Sequence, residues 1–297
     1  MKKILVCLLL AAALCGFAVA EEMGLSIGAE VWNTPGKDLY GDNTFSFGPF
    51  AEFEKSFSSV DLYLKGQYLV NLDDETNQAL YLEEKLTFNL GKAGPGSLSL
   101  SLGNYNLLGT KIDKDEKWHY FYPPNDYLYV DASGNKKITG VFSPSAAYAL
   151  APLTFSAGVD IGYAPGGSAY MGEYVDAYGK VEFAHESGLG FDAVAYYNIS
   201  KEWDNDKTTD DLYEIDVSIS YTKKDVFKAA LEVYFLKDSE GNFMKNYAFI
   251  PGIEIYVKNF TFYGKVDIRT FKDKTDNGWN ENKKTSTGFL VGAKMKF

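Results

Sequence analysis

The chain has 297 residues and a formal charge of −11, from 29 Lys and Arg against 40 Asp and Glu, with Arg269 its sole arginine. An acidic surplus of this size repels phosphates on balance, and so no nucleic acid partner is expected. Cys7 and Cys15 are the only cysteines, so beyond residue 15 the chain can form neither a disulfide nor a thiolate metal site.

The first element is Lys2 and Lys3, an apolar run from Ile4 to Leu14, then Ala18-Val19-Ala20 with small residues where a signal peptidase reads. This predicts a signal peptide over 1–20 and a mature chain from Glu21, whose charge without the two lysines is −13. A lipoprotein signal on Cys15 is the alternative, opposed by bulky Leu14 where a small residue is needed. After Leu14 nothing approaches the roughly 20 consecutive apolar residues of a spanning helix, so entry into a bilayer requires strands.

From residue 24 the pattern has period two, broken by polar, Gly or Pro stretches. Strands are predicted over 24–33, 44–55, 60–71, 79–90 and 97–106, with Glu30, Glu52, Asp61, Lys65 and Glu83 facing inward. Glu84 breaks the register, lying between Leu82 and Leu86 on the outward face, and predicts a bulge or a shifted strand. The longest connection follows, 107–137, with Trp118, His119, Tyr120, Phe121, Tyr122, Pro123, Pro124 and Tyr127. It is too apolar for a solvated tail. Packed inside the barrel it would be a constriction loop able to stack on sugar rings; packed outside it would contact a surface.

Strands over 138–149, 153–163, 173–184 and 189–200 come next. In the second of these Leu153, Phe155, Ala157, Val159, Ile161 and Tyr163 alternate with Thr154, Ser156, Gly158, Asp160 and Gly162. Inward charges here are Asp160, Asp176 and Asp192. The last strands are 211–222, 227–236, 247–258, 260–271 and 286–297, contributing Glu214, Asp216, Glu232, Glu254, Lys265, Asp267 and Arg269. Further lysines, including Lys85, Lys180, Lys228, Lys258, Lys294 and Lys296, face the same way. Acidic tips at 73–75, 204–206, 210–211 and 273–277 read as solvated loops, since Thr275 stands where a calcium loop wants an acid or amide. No metal and no cofactor is expected.

The fold class is therefore all-β, a closed antiparallel transmembrane barrel of about fourteen strands. Weak patterning over 138–149 and 173–184 keeps twelve and sixteen open. An even count puts both termini on the side of the short connections. A soluble sandwich or lipocalin-like barrel alternates too. Against it, Phe45, Tyr163, Tyr197, Tyr213, Tyr221, Phe260 and Phe297 gather at strand ends, where interfacial girdles sit.

The last strand carries Phe289, Val291, Ala293, Met295 and a final Phe297. In this it resembles the terminal signal that bacterial outer-membrane barrels present to their assembly machinery. In mature length and strand number the chain resembles the monomeric fourteen-stranded porins, although no diagnostic motif links it to one family. The resemblance implies the bacterial outer membrane, contact with its lipids and with the barrel-assembly machinery, and passage of small hydrophilic solutes.

Charges on the inward face cannot be buried dry without cost, so water or partners must reach them. About fourteen inward acids against nine bases predict a porin-like channel with weak cation preference. The alternatives are a closed barrel braced by paired charges, serving as surface structure or adhesin, and a sugar-specific channel using the aromatic loop. Catalysis is not expected: His119 and His185 are the only histidines, and no Gly-x-Ser-x-Gly elbow is present.

Overall fold

The computed structural model describes residues 24–33, 45–72, 78–109, 138–163, 175–198, 211–236, 246–275 and 278–297. The expected signal peptide and the aromatic residues Trp118 to Tyr127 lie outside them. Fourteen strands run through the described residues: β1 (Gly24–Asn33), β2 (Phe45–Ser56), β3 (Val60–Asn71), β4 (Gln78–Ala93), β5 (Gly96–Gly109), β6 (Ile138–Leu150), β7 (Leu153–Tyr163), β8 (Val175–Ala184), β9 (Leu189–Asn198), β10 (Asp211–Lys223), β11 (Phe227–Leu236), β12 (Asn246–Val257), β13 (Phe260–Thr275) and β14 (Gly278–Lys296). Each pairs antiparallel with its neighbours in sequence. Strand β1 also pairs with β14, from Ser26↔Lys296 to Asn33↔Phe289, and closes the barrel. Closure satisfies every strand edge, the condition for a sheet in hydrocarbon.

The count of fourteen and the antiparallel closure agree with the period-two pattern. Three expectations need correction. Strand β5 runs on to Gly109, with Leu107↔Thr139 and Leu108↔Ile138 in register, so the long connection starts at 110 and not 107. Strands β13 and β14 pair as far as Thr275↔Gly278, where a charged loop was expected over 273–277. The third concerns Glu84: β4 pairs without interruption past it on both sides, Leu64↔Glu84 and Glu84↔Asn104, and the bulge in this strand falls at Asn89/Gly91. Glu84 does face outward, and the Asn104 amide directly across donates to its Oε2 at 3.3 Å.

Short turns join the strands at one end. Ala151-Pro152 and Lys258-Asn259 are two-residue turns, and 185–188 and 224–226 are only slightly longer. Gly188 has φ 91°, and a Cβ there would collide with the Thr222 carbonyl, so this turn requires glycine. Lys258 adopts φ 56° without that freedom. It was expected on the inward wall, but it belongs to the turn.

The pleat alternates a largely apolar outer face with a largely polar inner one. Phe155, Phe191, Ile219, Leu231, Ile253, Phe262 and Val291 are exposed on the outside, while Thr154, Ser156, Asp192, Ser218, Ser220, Glu232, Glu254 and Tyr263 beside them lie on the inner side. Exposed aromatics rim the belt, Phe45 and Tyr197 at the long-connection end and Tyr221, Phe260 and Phe297 at the short-turn end. Phe45 packs on Phe289 at 5.9 Å and Tyr221 on Phe227 at 6.0 Å. An apolar outside around a polar inside is the arrangement of a barrel embedded in a membrane.

Candidate functional site

The interior has two levels. Toward the long connections the inward side chains are buried: Asp160, Asp176 and Asp267 are 0% exposed and Glu30 is 1%, with Trp32, Gln67, Leu69, Val141, Ile250 and Leu290 at the same level. Toward the short turns the wall is open, with the side chains of Lys228 and Glu254 at 40% and 39%.

The register puts all fifteen residues read as inward charges on the inner side of their strands, and it brings them together in distinct ways. Glu30 on β1 is clasped from two sides, accepting from Gln67 Nε2 at 2.7 Å and from the Tyr263 hydroxyl at 2.6 Å. Glu52 on β2 lies between Lys294 at 3.0 Å and Lys65 at 3.9 Å. Lys265 donates to Glu232 at 2.6 Å, and Lys228 stands 3.9 Å from Glu254. The lone arginine bonds within its own strand, Arg269 Nε to Asp267 Oδ2 at 2.7 Å. Asp61 accepts from Asn89 at 2.9 Å near the short turns, and Asp192 from Ser218 at 2.7 Å. Asp160 and Asp176 are direct cross-strand neighbours on β7 and β8, while Glu214 and Asp216 share β10 in the buried level.

Tyrosines are the inward residues that a reading by charge overlooks. Three hydroxyls hold the carboxylate two positions away on their own strand: Tyr81 with Glu83 at 3.3 Å, Tyr234 with Glu232 at 3.2 Å and Tyr256 with Glu254 at 3.0 Å. The signal is in the sequence, because residues at i and i+2 share a face. Two other tyrosines lie down on the wall. Gly158 is paired with Tyr178, and Gly292 with Tyr263. Each ring occupies the space a Cβ on its glycine would take, within 2.5 Å. Across β5 to β7 the wall is instead smooth and hydroxyl-bearing, with Ser99, Ser101, Ser143, Ser145, Thr154 and Ser156 inward.

Three adjoining cavities fill the open level. One of about 340 Å³ is lined by Glu52, Tyr63, Lys65, Tyr81 and Glu83 on one side and by Glu232, Glu254, Tyr263, Lys265 and Lys294 on the other. A second, of about 370 Å³, extends along Lys180, Asp192, Tyr196 and Asp216. The third, about 400 Å³, opens toward the short turns past Glu54, Asp61, Lys85 and Thr87. Among the described residues no cluster of His, Cys, Asp and Glu has metal-site geometry.

Phe289, Val291 and Phe297 face outward along β14, as does Met295. His185 sits in the β8–β9 turn, its Nδ1 accepting from the Ser187 backbone N–H at 3.2 Å and lying 2.9 Å from the Ser187 hydroxyl.

No protein-family model matches this chain, and no curated protein does. Among solved structures it is similar to a deltaS2 mutant of the TodX monoaromatic hydrocarbon channel, with a TM-score of 0.55 and 6% identity over 94% of this chain and 91% of that one. A triple mutant of the Rhodopseudomonas blastica porin aligns over 93% of this chain and 100% of its own, with a TM-score of 0.42 and 9% identity. The likeness to the TodX channel is one of fold: a closed antiparallel membrane barrel.

Proposed function

We propose that this chain is a channel of the bacterial outer membrane for the passive diffusion of small hydrophilic solutes, with a weak cation preference. The observation that carries the proposal is the inversion of polarity, with open cavities lined by ion pairs inside a closed barrel whose outside is apolar. Fourteen strands enclose more space than eight, whose interior side chains fill. The TodX structure is described as a hydrocarbon channel. Here a hydrocarbon would have to strip water from Glu52, Glu232, Lys265 and Lys294 with nothing in return, so the cargo is hydrophilic.

The belt of apolar side chains contacts membrane lipid. The outward Phe289, Val291, Met295 and Phe297 form the signal read by the barrel-assembly machinery. The role of the barrel is non-enzymatic, with His185 and Ser187 serving as a turn clasp. Glu52, Asp61, Lys65, Glu83 and the other charges of the open level line the conduction path, and Glu30, Asp160, Asp176 and Asp267 stand in its wall at the buried level.

A second reading is favoured by one observation, the burial of Asp160, Asp176, Asp267 and Glu30 in the long-connection half. It makes the barrel a closed one whose outer loops act as a surface structure or adhesin. Single-channel recording of the refolded protein in a planar bilayer decides between them. Stable current steps with a cation-directed reversal potential in a salt gradient support the channel. Silence from a correctly folded, heat-modifiable barrel overturns it in favour of the closed reading. If the connection 110–137 narrows the path, shortening it raises the step size.

A further inference from the structure

The cavity between Glu52 and Glu232 has a composition that selects among hydrophilic solutes. Four carboxylates, Glu52, Glu83, Glu232 and Glu254, face four ammonium groups, Lys65, Lys228, Lys265 and Lys294, so the lining is neutral overall. The charges are engaged with each other: Lys294 with Glu52 at 3.0 Å and Lys265 with Glu232 at 2.6 Å. A solute of either charge meets as much repulsion as attraction. A hydroxyl group, which both donates and accepts, can bond to the spare protons of an ammonium and the spare lone pairs of a carboxylate at once.

The same cavity contains an aromatic platform. Tyr263 lies across Gly292, its ring within 2.5 Å of where a glycine Cβ would stand, and its hydroxyl is fixed on Glu30 at 2.6 Å. The ring rests on the wall at Gly292, and Tyr263 is among the residues that line the cavity. Weakly polarised C–H groups are attracted to such a face by its quadrupole. Hydroxyls around an edge and C–H groups on a face describe a sugar ring. A volume of about 340 Å³ is at the lower end of small-ligand sites and suits one or two rings.

We propose that this cavity is a binding site for a neutral carbohydrate, a mono- or disaccharide stacked on Tyr263 with its hydroxyls between the Glu52–Lys294 and Glu232–Lys265 pairs. The proposal rests on the channel reading for its route of entry but not for its chemistry. The test is current block in planar bilayers by maltose, compared with lysine and glutamate at equal concentration, together with calorimetric binding of maltose to the folded barrel in detergent.

Maltose is expected to interrupt the current at lower concentration than either charged solute. Tyr263→Ala should raise the maltose concentration for half-block about tenfold. Gly292→Ala keeps the tyrosine but pushes its ring off the wall, and should weaken block in the same direction. It carries the test if Tyr263→Ala fails to fold. Tyr263→Phe, which keeps the stacking face, should stay much closer to the parent than Tyr263→Ala. Steady current that maltose does not block overturns the site and leaves the channel standing. Maltose binding that Tyr263→Ala weakens, in a barrel that carries no current, upholds the site and overturns the channel. Absence of both current and binding removes both.

Discussion

A carboxylate that faces hydrocarbon survives only with a donor beside it, and Glu84 has Asn104. Its two neighbours on the outward face are Leu82 and Leu86, so nothing on its own strand can answer the charge. Replacing Asn104 with Leu should therefore destabilise the barrel by about 1 kcal/mol, and replacing Glu84 with Leu should stabilise it by a similar amount. Urea unfolding in lipid vesicles reads both, and equal effects of the same sign would sink the pairing. Arg269 presents the inward counterpart, since its guanidinium bonds the fully buried Asp267. Arg269→Gln should cost about 3 kcal/mol in the same assay, because it leaves a buried charge short of its cation. The sequence marks Glu84 as an exception, yet it cannot name Asn104, which comes opposite only after register is set. Tyr263 is harder still to foresee: its hydroxyl meets Glu30 across 233 positions of chain.

At the level of the strand, alternation reports a lipid face rather than a strand as such. Leu153 to Tyr163 alternates throughout, and there the expected and observed bounds of β7 coincide. Strands β13 and β14 continue to Thr275 and from Gly278 through a mostly polar stretch that includes Lys272, Asp273, Asn280 and Lys283, with Phe271 and Trp279 as apolar members. In this stretch the period of two disappears from the sequence, although the backbone pairing goes on. Glycines mark the turns well, as at Gly188, but the β12–β13 turn places Lys258 at φ 56° where no glycine signals it. A side chain in that region is strained. Lys258→Gly should stabilise the barrel by about 1 kcal/mol in urea unfolding. An unchanged or lowered midpoint would show that the lysine is not under strain there.

For the whole molecule, the distribution of charge matters more than its total. The inward acids exceed the bases, but the excess is not spread evenly. The cavity of the open level holds as many ammonium groups as carboxylates. The surplus lies above it in the buried level, in Glu30, Asp160, Asp176, Glu214, Asp216 and Asp267. A charge acts on a passing ion over roughly a Debye length, about 10 Å at 0.1 M salt, so selectivity should be set in that upper level and should fade as salt rises. Asp176→Asn and Asp216→Asn, made together, should move the reversal potential in a salt gradient toward zero. Neutralising the exposed Lys180–Glu182 pair of the lower level, which is 2.8 Å apart and balanced, should move it less. The first double variant removes two negative charges and the second leaves the net charge unchanged, so the comparison asks whether the acidic surplus of the upper level sets the preference. If the lower pair proved the more effective, the cation preference would arise in the open cavities and the acids above would serve only to brace the wall.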